Sequence, residues 1–233
     1  MVSQLEKVVF RADASVQMGA GHMMRCLTLA NQLNTQGIHS HFLTRPLKGS
    51  RLNAIIESGH EVTALAPPTI GDREIDQSDL YESWLGVSRK KDAQECAKLI
   101  NDIAPDLVVV DSYALGADWE RTAVPSGIAI LAIDDLANRQ HFCDLLLDQN
   151  LGTLDSDYEG LLLSDTRTLV GPKWALLRPE FATAREVALA RRSKAAFSNI
   201  LIAMGGMDKD NTTSQILDVL LDCPLPKDSR LTI

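Results

Sequence analysis

Short runs of Val, Ile and Leu recur along the chain, and between them lie longer stretches in which apolar residues return every three or four positions. The first pattern is that of strands buried on both faces, the second that of helices with one apolar side. Their alternation predicts parallel strands joined by crossover helices, an α/β protein. Val8-Val9-Phe10 opens as a strand, and helical spacing from Met23 to Leu33 runs up to Gly37. Strands are predicted at 38–44 and 61–65, with a short helix over 52–58 stopped by Gly59. A polar connection covers 67–86. A long helix over 88–103 ends before Pro105, and the runs at 107–110 and 128–133 read as further buried strands.

After Leu145-Leu146-Leu147 the pattern becomes irregular: a loop near 155–158, a short strand at 168–170 and a helix over 179–192. Ser193-Lys194-Ala195 reads as a linker. A fresh βα unit then begins, with a strand at 199–203, the turn Met204-Gly205-Gly206-Met207-Asp208 and a helix over 211–221. Arg230-Leu231-Thr232-Ile233 resembles the opening of another strand. The expectation is a Rossmann-like domain over 1–192, and over 193–233 a linker and the first βα unit of a second α/β domain that has been cut short.

Of the 233 residues, 45% are hydrophobic and 23% charged, proportions of an ordinary globular protein. Acidic residues outnumber basic ones 31 to 23, so the net charge of −8 repels polyanions. With 5% aromatic residues there are also few rings for bases to stack on, which argues against nucleic acid as a partner. Cys26, Cys96, Cys143 and Cys223 form no C-x-x-C pair and have no His at metal-ligand spacing; they read as reduced core thiols, and no metal site is expected. The N-terminus lacks an apolar targeting core and no apolar run could span a bilayer, which predicts a cytoplasmic, membrane-free protein.

The sharpest local signal is the glycine turn Gly19-Ala20-Gly21-His22 between the first strand and first helix. Loops at the carboxyl ends of parallel strands are where α/β folds hold ligands. A dinucleotide fingerprint fails, because Met24 stands where a third Gly is needed and Thr44-Arg45 offers no acid for a ribose. What remains is a His at a helix start. The helix dipole there disfavours imidazolium, so His22 is suited to accept a proton as a general base, although a merely polar residue after a glycine turn fits position alone equally well. Tyr113 should emerge at a strand's carboxyl end, where its hydroxyl could bond a sugar or an attacking water, although a boundary tyrosine with a solvated tip fits position alone equally well. Asp13 shares the His22 loop and is the best acidic candidate for a ligand contact. Asp111, Asp134 and Asp135 are expected to serve mostly as caps or in loop bonds. His39, His41 and His60 read as structural; His141 is a weak ligand candidate. Gly205-Gly206 before Asn211-Thr212-Thr213 could present amides to a pyrophosphate, or could be an ordinary capped turn.

Arg11-Ala12-Asp13 through Gly19-Ala20-Gly21-His22-Met23-Met24-Arg25-Cys26-Leu27 resembles the N-terminal signature of the UDP-2,4-diacetamido-2,4,6-trideoxy-β-L-altropyranose hydrolases of pseudaminic acid biosynthesis. Val110-Asp111-Ser112-Tyr113, Ile133-Asp134-Asp135-Leu136-Ala137-Asn138-Arg139, Cys143-Asp144 through Gln149-Asn150 and Gly171-Pro172-Lys173-Trp174 are similar to family segments in the same order. Met204-Gly205-Gly206-Met207-Asp208 resembles the start of the family's nucleotide-binding half. The resemblance implies a glycosyltransferase-B-like fold and metal-independent, cofactor-free hydrolysis of a UDP-sugar, with inversion by water attack. In that scheme His22 is the base. Tyr113, Asp13, Gly19, Gly21 and Arg25 contact substrate, while Gly205, Gly206, Asp208, Asn211 and Thr212 hold the nucleotide. A monomer is expected. The rival readings are a transferase of the same fold, which would direct an acceptor hydroxyl instead of water, and an inactive fragment serving as a binding module.

Overall fold

The computed structural model describes residues 5–69, 72, 80–193, 199–204, 208 and 210–233. Seven of the apolar runs pair side by side, all parallel, in one sheet: β1 (Lys7–Ala12), β2 (His39–Thr44), β3 (Glu61–Ala64), β4 (Leu107–Asp111), β5 (Ala129–Ile133), β6 (Leu145–Asp148) and β7 (Arg167–Val170). Their order is β3-β2-β1-β4-β5-β6-β7. The chain thus winds one way from β1 to β3 and the other way from β4 to β7. The reversal falls between β1 and β4, where the crossovers diverge, the place at which open α/β sheets generally hold ligands at the strands' carboxyl ends.

Both faces of the sheet are covered, which is why its strands read as continuous apolar runs. On one face Val8, Phe10, Ala12, Phe42, Val109, Leu131 and Ile133 pack against α1 (Gly21–Asn34) and α2 (Leu52–Glu57). Helix α1 buries Met23, Cys26, Leu27 and Ala30, an i, i+3, i+4, i+7 stripe. On the other face Val9, Val108, Val110 and Ile130 meet α4 (Arg89–Ile103) and α5 (Ala117–Ala123). Each fully buried Val, Leu, Ile or Phe in these layers contributes about 1.5–3 kcal/mol. Ser88 starts α4 by accepting a hydrogen bond from the Lys91 amide at 3.2 Å, and Ala104, left-handed at φ 49°, ends it before Pro105.

Two helices were not expected from the sequence. α3 (Leu80–Leu85) lies inside the stretch read as a polar connection, and α5 follows β4. With six and seven residues, each is too short for its apolar period to stand out. The loop expected near 155–158 is a single 3₁₀ turn, Asp155–Tyr158.

The chain divides into two compact units, Met1–Leu176 and Leu177–Ile233. In the second, β8 (Asn199–Leu201) and β9 (Arg230–Thr232) form a parallel pair, accompanied by α6 (Pro179–Arg192) and α7 (Thr212–Leu221). Neither helix buries a residue. This corrects the reading of the cysteines: Cys26, Cys96 and Cys143 are buried free thiols, whereas Cys223 is exposed because it follows a helix with no core to enter. Among the described residues no helix is long and apolar enough to cross a membrane.

Candidate active site

Strands β1 and β4 are hydrogen-bonded neighbours, with Ala12 level with Asp111. The turn after β1 and the carboxyl end of β4 therefore meet at the reversal point. Gly19 adopts φ +76°, a conformation that side chains other than Gly's rarely accept, and a two-way backbone pairing of Ser15 with Gly19 closes the turn. A Cβ built at Gly19 or Gly21 would meet no atom within 4 Å, so this stretch of backbone is bare. The turn delivers His22 in the first turn of α1, on the helix face that packs over β4.

There the His22 ring finds a partner 89 residues away. Its Nδ1 lies 2.6 Å from Asp111 Oδ1. A carboxylate only accepts, so Nδ1 carries the proton and donates, which leaves Nε2 as the nitrogen with a lone pair. Among the described residues Nε2 makes no hydrogen bond, and the side chain is 7% exposed. Arg25, one turn further along α1, grips the same carboxylate with two parallel bonds, Nε to Oδ2 at 2.6 Å and Nη2 to Oδ1 at 2.7 Å. Its remaining Nη1 donates to Asp135 Oδ2 at 2.9 Å. Burial opposes ionisation of Asp111, but Arg25 and His22 outweigh it and hold its carboxyl down at about 2. Burial likewise opposes the Arg25 charge, and Asp111 with Asp135 reverses the balance, so the guanidinium holds its proton more firmly than usual.

Tyr113 completes one wall. Its ring meets His22 edge to face, with centroids 4.5 Å apart at 83°, and its centroid lies 5.3 Å from that of Tyr81. Burial, then the Asp135 carboxylate, raises its hydroxyl well above the ordinary tyrosine value, so it stays a neutral donor. Two arginines fix the loop carrying Tyr113 by its carbonyls. Arg139 donates to Ser112 O at 3.0 Å and Leu115 O at 2.7 Å, and Arg89 donates to Ala114 O at 2.6 Å.

Not every candidate joins this group. Asp13 belongs to a second cluster on the opposite face of the sheet. Its Oδ1 accepts from the Arg45 amide at 2.7 Å and from Thr44 Oγ1 at 3.1 Å and pairs with Arg11 at 2.7 Å, while Oδ2 is buried without a hydrogen-bond partner among the described residues. Asp92 lies at the centre of that cluster, bonded to Arg11, Arg45 and the Trp119 indole. Asp134 acts as the loop bond expected of it, accepting from the Ala137 amide, Arg139 and Tyr158. Asp111 and Asp135 are not caps but the partners of His22 and Arg25. His141 is buried against Glu120 at 2.7 Å. His41, read as structural, pairs with the exposed Glu61 at 3.0 Å.

Gly205 and Gly206 lie outside the described residues. Asp208 turns its carboxylate back onto the start of α7, accepting from the Thr212 amide at 2.7 Å and the Thr213 amide at 3.0 Å. Asn211, left-handed at φ 51°, accepts from Ser214 through its side-chain oxygen. Two amides thought open to a pyrophosphate are thus already engaged by an anion. Among the described residues no cluster of three His, Cys, Asp or Glu side chains could hold a metal ion.

Among proteins of known sequence, the chain is 31% identical over 215 residues to a Campylobacter jejuni UDP-2,4-diacetamido-2,4,6-trideoxy-β-L-altropyranose hydrolase, a match covering 92% of this chain. It is 25% identical over 218 residues to an uncharacterized protein of Methanocaldococcus jannaschii, again over 92% of this chain. It spans 65% and 40% of the lengths of these two relatives. No family model matches the chain. Among solved structures, a Rickettsia africae glycosyltransferase superposes with a TM-score of 0.54 at 10% identity, covering 98% of this chain and 68% of that one. With its seven-stranded parallel sheet and this structural neighbour, the chain has an α/β fold of the glycosyltransferase-B type, and it is a distant relative of a UDP-sugar hydrolase.

Proposed function

We propose that the chain carries the catalytic half of a UDP-sugar hydrolase, in which His22 activates the attacking water. One observation carries the reading: a histidine at the reversal point of a parallel sheet, with Nδ1 tied to a buried carboxylate and Nε2 free of any partner among the described residues. Asp111 fixes the ring's tautomer and orientation and stabilises the imidazolium that forms as the proton arrives. A water donating to Nε2 is drawn towards hydroxide as its oxygen attacks the anomeric carbon from the face opposite the diphosphate. The carbon–oxygen bond to the diphosphate breaks, UDP leaves with the bonding electrons, and the anomeric configuration inverts. UDP is a weakly basic leaving group, so a single base suffices and no metal is assigned a step. Tyr113 limits the ring's rotation and offers a neutral hydroxyl to the sugar.

The 31% identity to the Campylobacter jejuni hydrolase supports the diacetamido-trideoxy sugar nucleotide as the substrate class, and the resemblance of the sequence segments to the pseudaminic acid family supports a step in that biosynthesis as the role. The nucleotide is assigned to the second unit, at the segment containing Gly205, Gly206, Asp208, Asn211 and Thr212. A phosphate reaching the start of α7 would have to displace the Asp208 carboxylate. The test is UDP release from that sugar nucleotide without any acceptor, comparing wild type with His22→Ala. A fall in turnover of about 10²–10⁴-fold is expected. Near wild-type turnover in the variant would remove His22 from the mechanism, and release only with an added acceptor would make the protein a transferase.

A further inference from the structure

The loop after β2 presses against the turn from which His22 projects, and the chemistry above gives that contact no role. Asp13 fastens its first point, because Oδ1 accepts from the Thr44 hydroxyl and the Arg45 amide. Further along, the Val16 amide donates to Lys48 O at 2.8 Å. Gly49 comes closer still. A Cβ built on it would stand 2.9 Å from the Val16 nitrogen, 2.9 Å from Val16 Cγ2 and 3.3 Å from the Ser15 carbonyl carbon. Two of those atoms are main chain and the third belongs to a stiff β-branched side chain, so rotating Val16 alone cannot clear the space. Gly49 also holds φ +88°. Position 49 is exposed, so core packing does not ask for a residue without a side chain there; the turn does.

From this contact the turn is braced all the way to α1. Ser15 and Gly19 exchange backbone bonds of 2.8 and 3.2 Å, and Ser15 Oγ accepts from the amides of Gln17 and Met18. The Ala20 carbonyl then accepts from the Met24 amide at 2.9 Å, the first bond of the helix. His22 leaves this arc two residues after Ala20, and its Nδ1 has to arrive 2.6 Å from Asp111 Oδ1. A hydrogen bond that short tolerates little displacement.

We infer that Gly49 is a positioning residue for the histidine, an inference that rests on the reading of His22 as the base. By leaving room for Val16 and Ser15, it lets the loop after β2 hold the 15–19 turn where His22 meets Asp111. It acts through the turn and not on the reacting atoms. The test compares Gly49→Ala with Gly37→Ala. Gly37 lies before β2, at the far end of that strand, with nearly the same backbone, φ +79°, and a Cβ there would meet no atom within 4 Å. It carries the conformational cost without the collision.

In Gly49→Ala, kcat for UDP release should fall about 10–10²-fold, the scale of a misplaced catalytic group, with KM changing less. The Val16 amide should exchange faster with solvent, and the downfield proton resonance of His22 Nδ1–H should move or broaden. Gly37→Ala should keep the wild-type kcat, exchange rate and resonance. Ser15→Ala removes the acceptor of two turn amides without any collision and should lower kcat about threefold, the weight of one modest hydrogen bond; it decides the matter if Gly49→Ala does not fold. An unchanged kcat and resonance in Gly49→Ala, an equal loss in Gly37→Ala, or, where Gly49→Ala does not fold, full kcat in Ser15→Ala would overturn the role. The resonance is read without substrate, so it reports on Gly49 even if His22→Ala retains turnover and the hydrolytic reading fails.

Discussion

Two buried clusters of arginine and carboxylate lie on opposite faces of the same sheet, and they differ in what is left unfinished. In one, Asp92 is bonded to Arg11, Arg45 and Trp119, and the two guanidiniums go on to Asp13, Glu95 and main-chain carbonyls. Both arginines and Asp92 are inaccessible to solvent. In the other, Asp111 is held as tightly by Arg25, yet its other partner is a histidine whose second nitrogen makes no hydrogen bond among the described residues. Buried ion pairs alone say little about function, since they also serve as internal struts. What marks the second cluster is a ring nitrogen left without a partner among the described residues at the point where the strand order reverses.

The contrast is broken most forcefully through its centres. Asp92→Ala would leave two buried guanidiniums facing each other and should lower unfolding free energy by about 3–5 kcal/mol, read from urea denaturation. Asp111→Asn should cost less stability, because Arg25 keeps Asp135. It should instead cost about 10²–10⁴-fold in turnover, since the amide no longer dictates which ring nitrogen holds the proton. Equal stability losses in the two variants, or undiminished turnover in the folded Asp111 variant, would erase the distinction.

Acid sharpens it next. Burial raises the carboxyl values of Asp111 and Asp92, but their arginine partners overcompensate and both end below the ordinary 3.8, Asp111 at about 2. A group depressed in the folded state stabilises the fold fully above its unfolded value and loses that contribution as pH falls through its folded value. Stability should therefore decline from about pH 4 downwards, and Asp111→Asn should flatten the decline between pH 4 and 2 by on the order of 2 kcal/mol. Denaturant midpoints measured across that window give the slope; an unchanged slope would show that Asp111 gains nothing from its partners.

The smallest effect concerns the thiols. Iodoacetamide at pH 8 should label Cys223 and spare Cys26, Cys96 and Cys143. Burial pushes the Cys143 thiol up to about 12, and the other two are raised as well by burial and by the Asp111 and Asp92 carboxylates. Cys223→Ser should change stability by less than about 0.5 kcal/mol. Modification of Cys26 in the native protein would mean that the Asp111 cluster opens readily.

Strands and long helices were legible because burial on two faces or on one leaves a period in the chain, as in Leu107–Asp111 and Arg89–Ile103. The position of His22 was legible for the same local reason, a glycine turn ahead of a helix. Its partner was not. Asp111 is 89 residues away and reaches His22 only because β1 and β4 are adjacent, which no local pattern states. Arg25, expected to contact substrate, also bonds Asp111 and Asp135, ties across 86 and 110 residues that no local pattern states. The Asp208 bonds could have been anticipated, for an acid shortly before Asn211-Thr212-Thr213 is within reach of the first helical amides.

Arg89 and Arg139 grasp main-chain oxygens of residues 112, 114 and 115, and every residue type has such an oxygen. The path of that loop is therefore indifferent to the side chain at position 113. A designer could exchange Tyr113 for a smaller or differently functionalised ring, and the peptide beneath it would keep its course, leaving substrate choice open to redesign on a frame that does not have to be rebuilt.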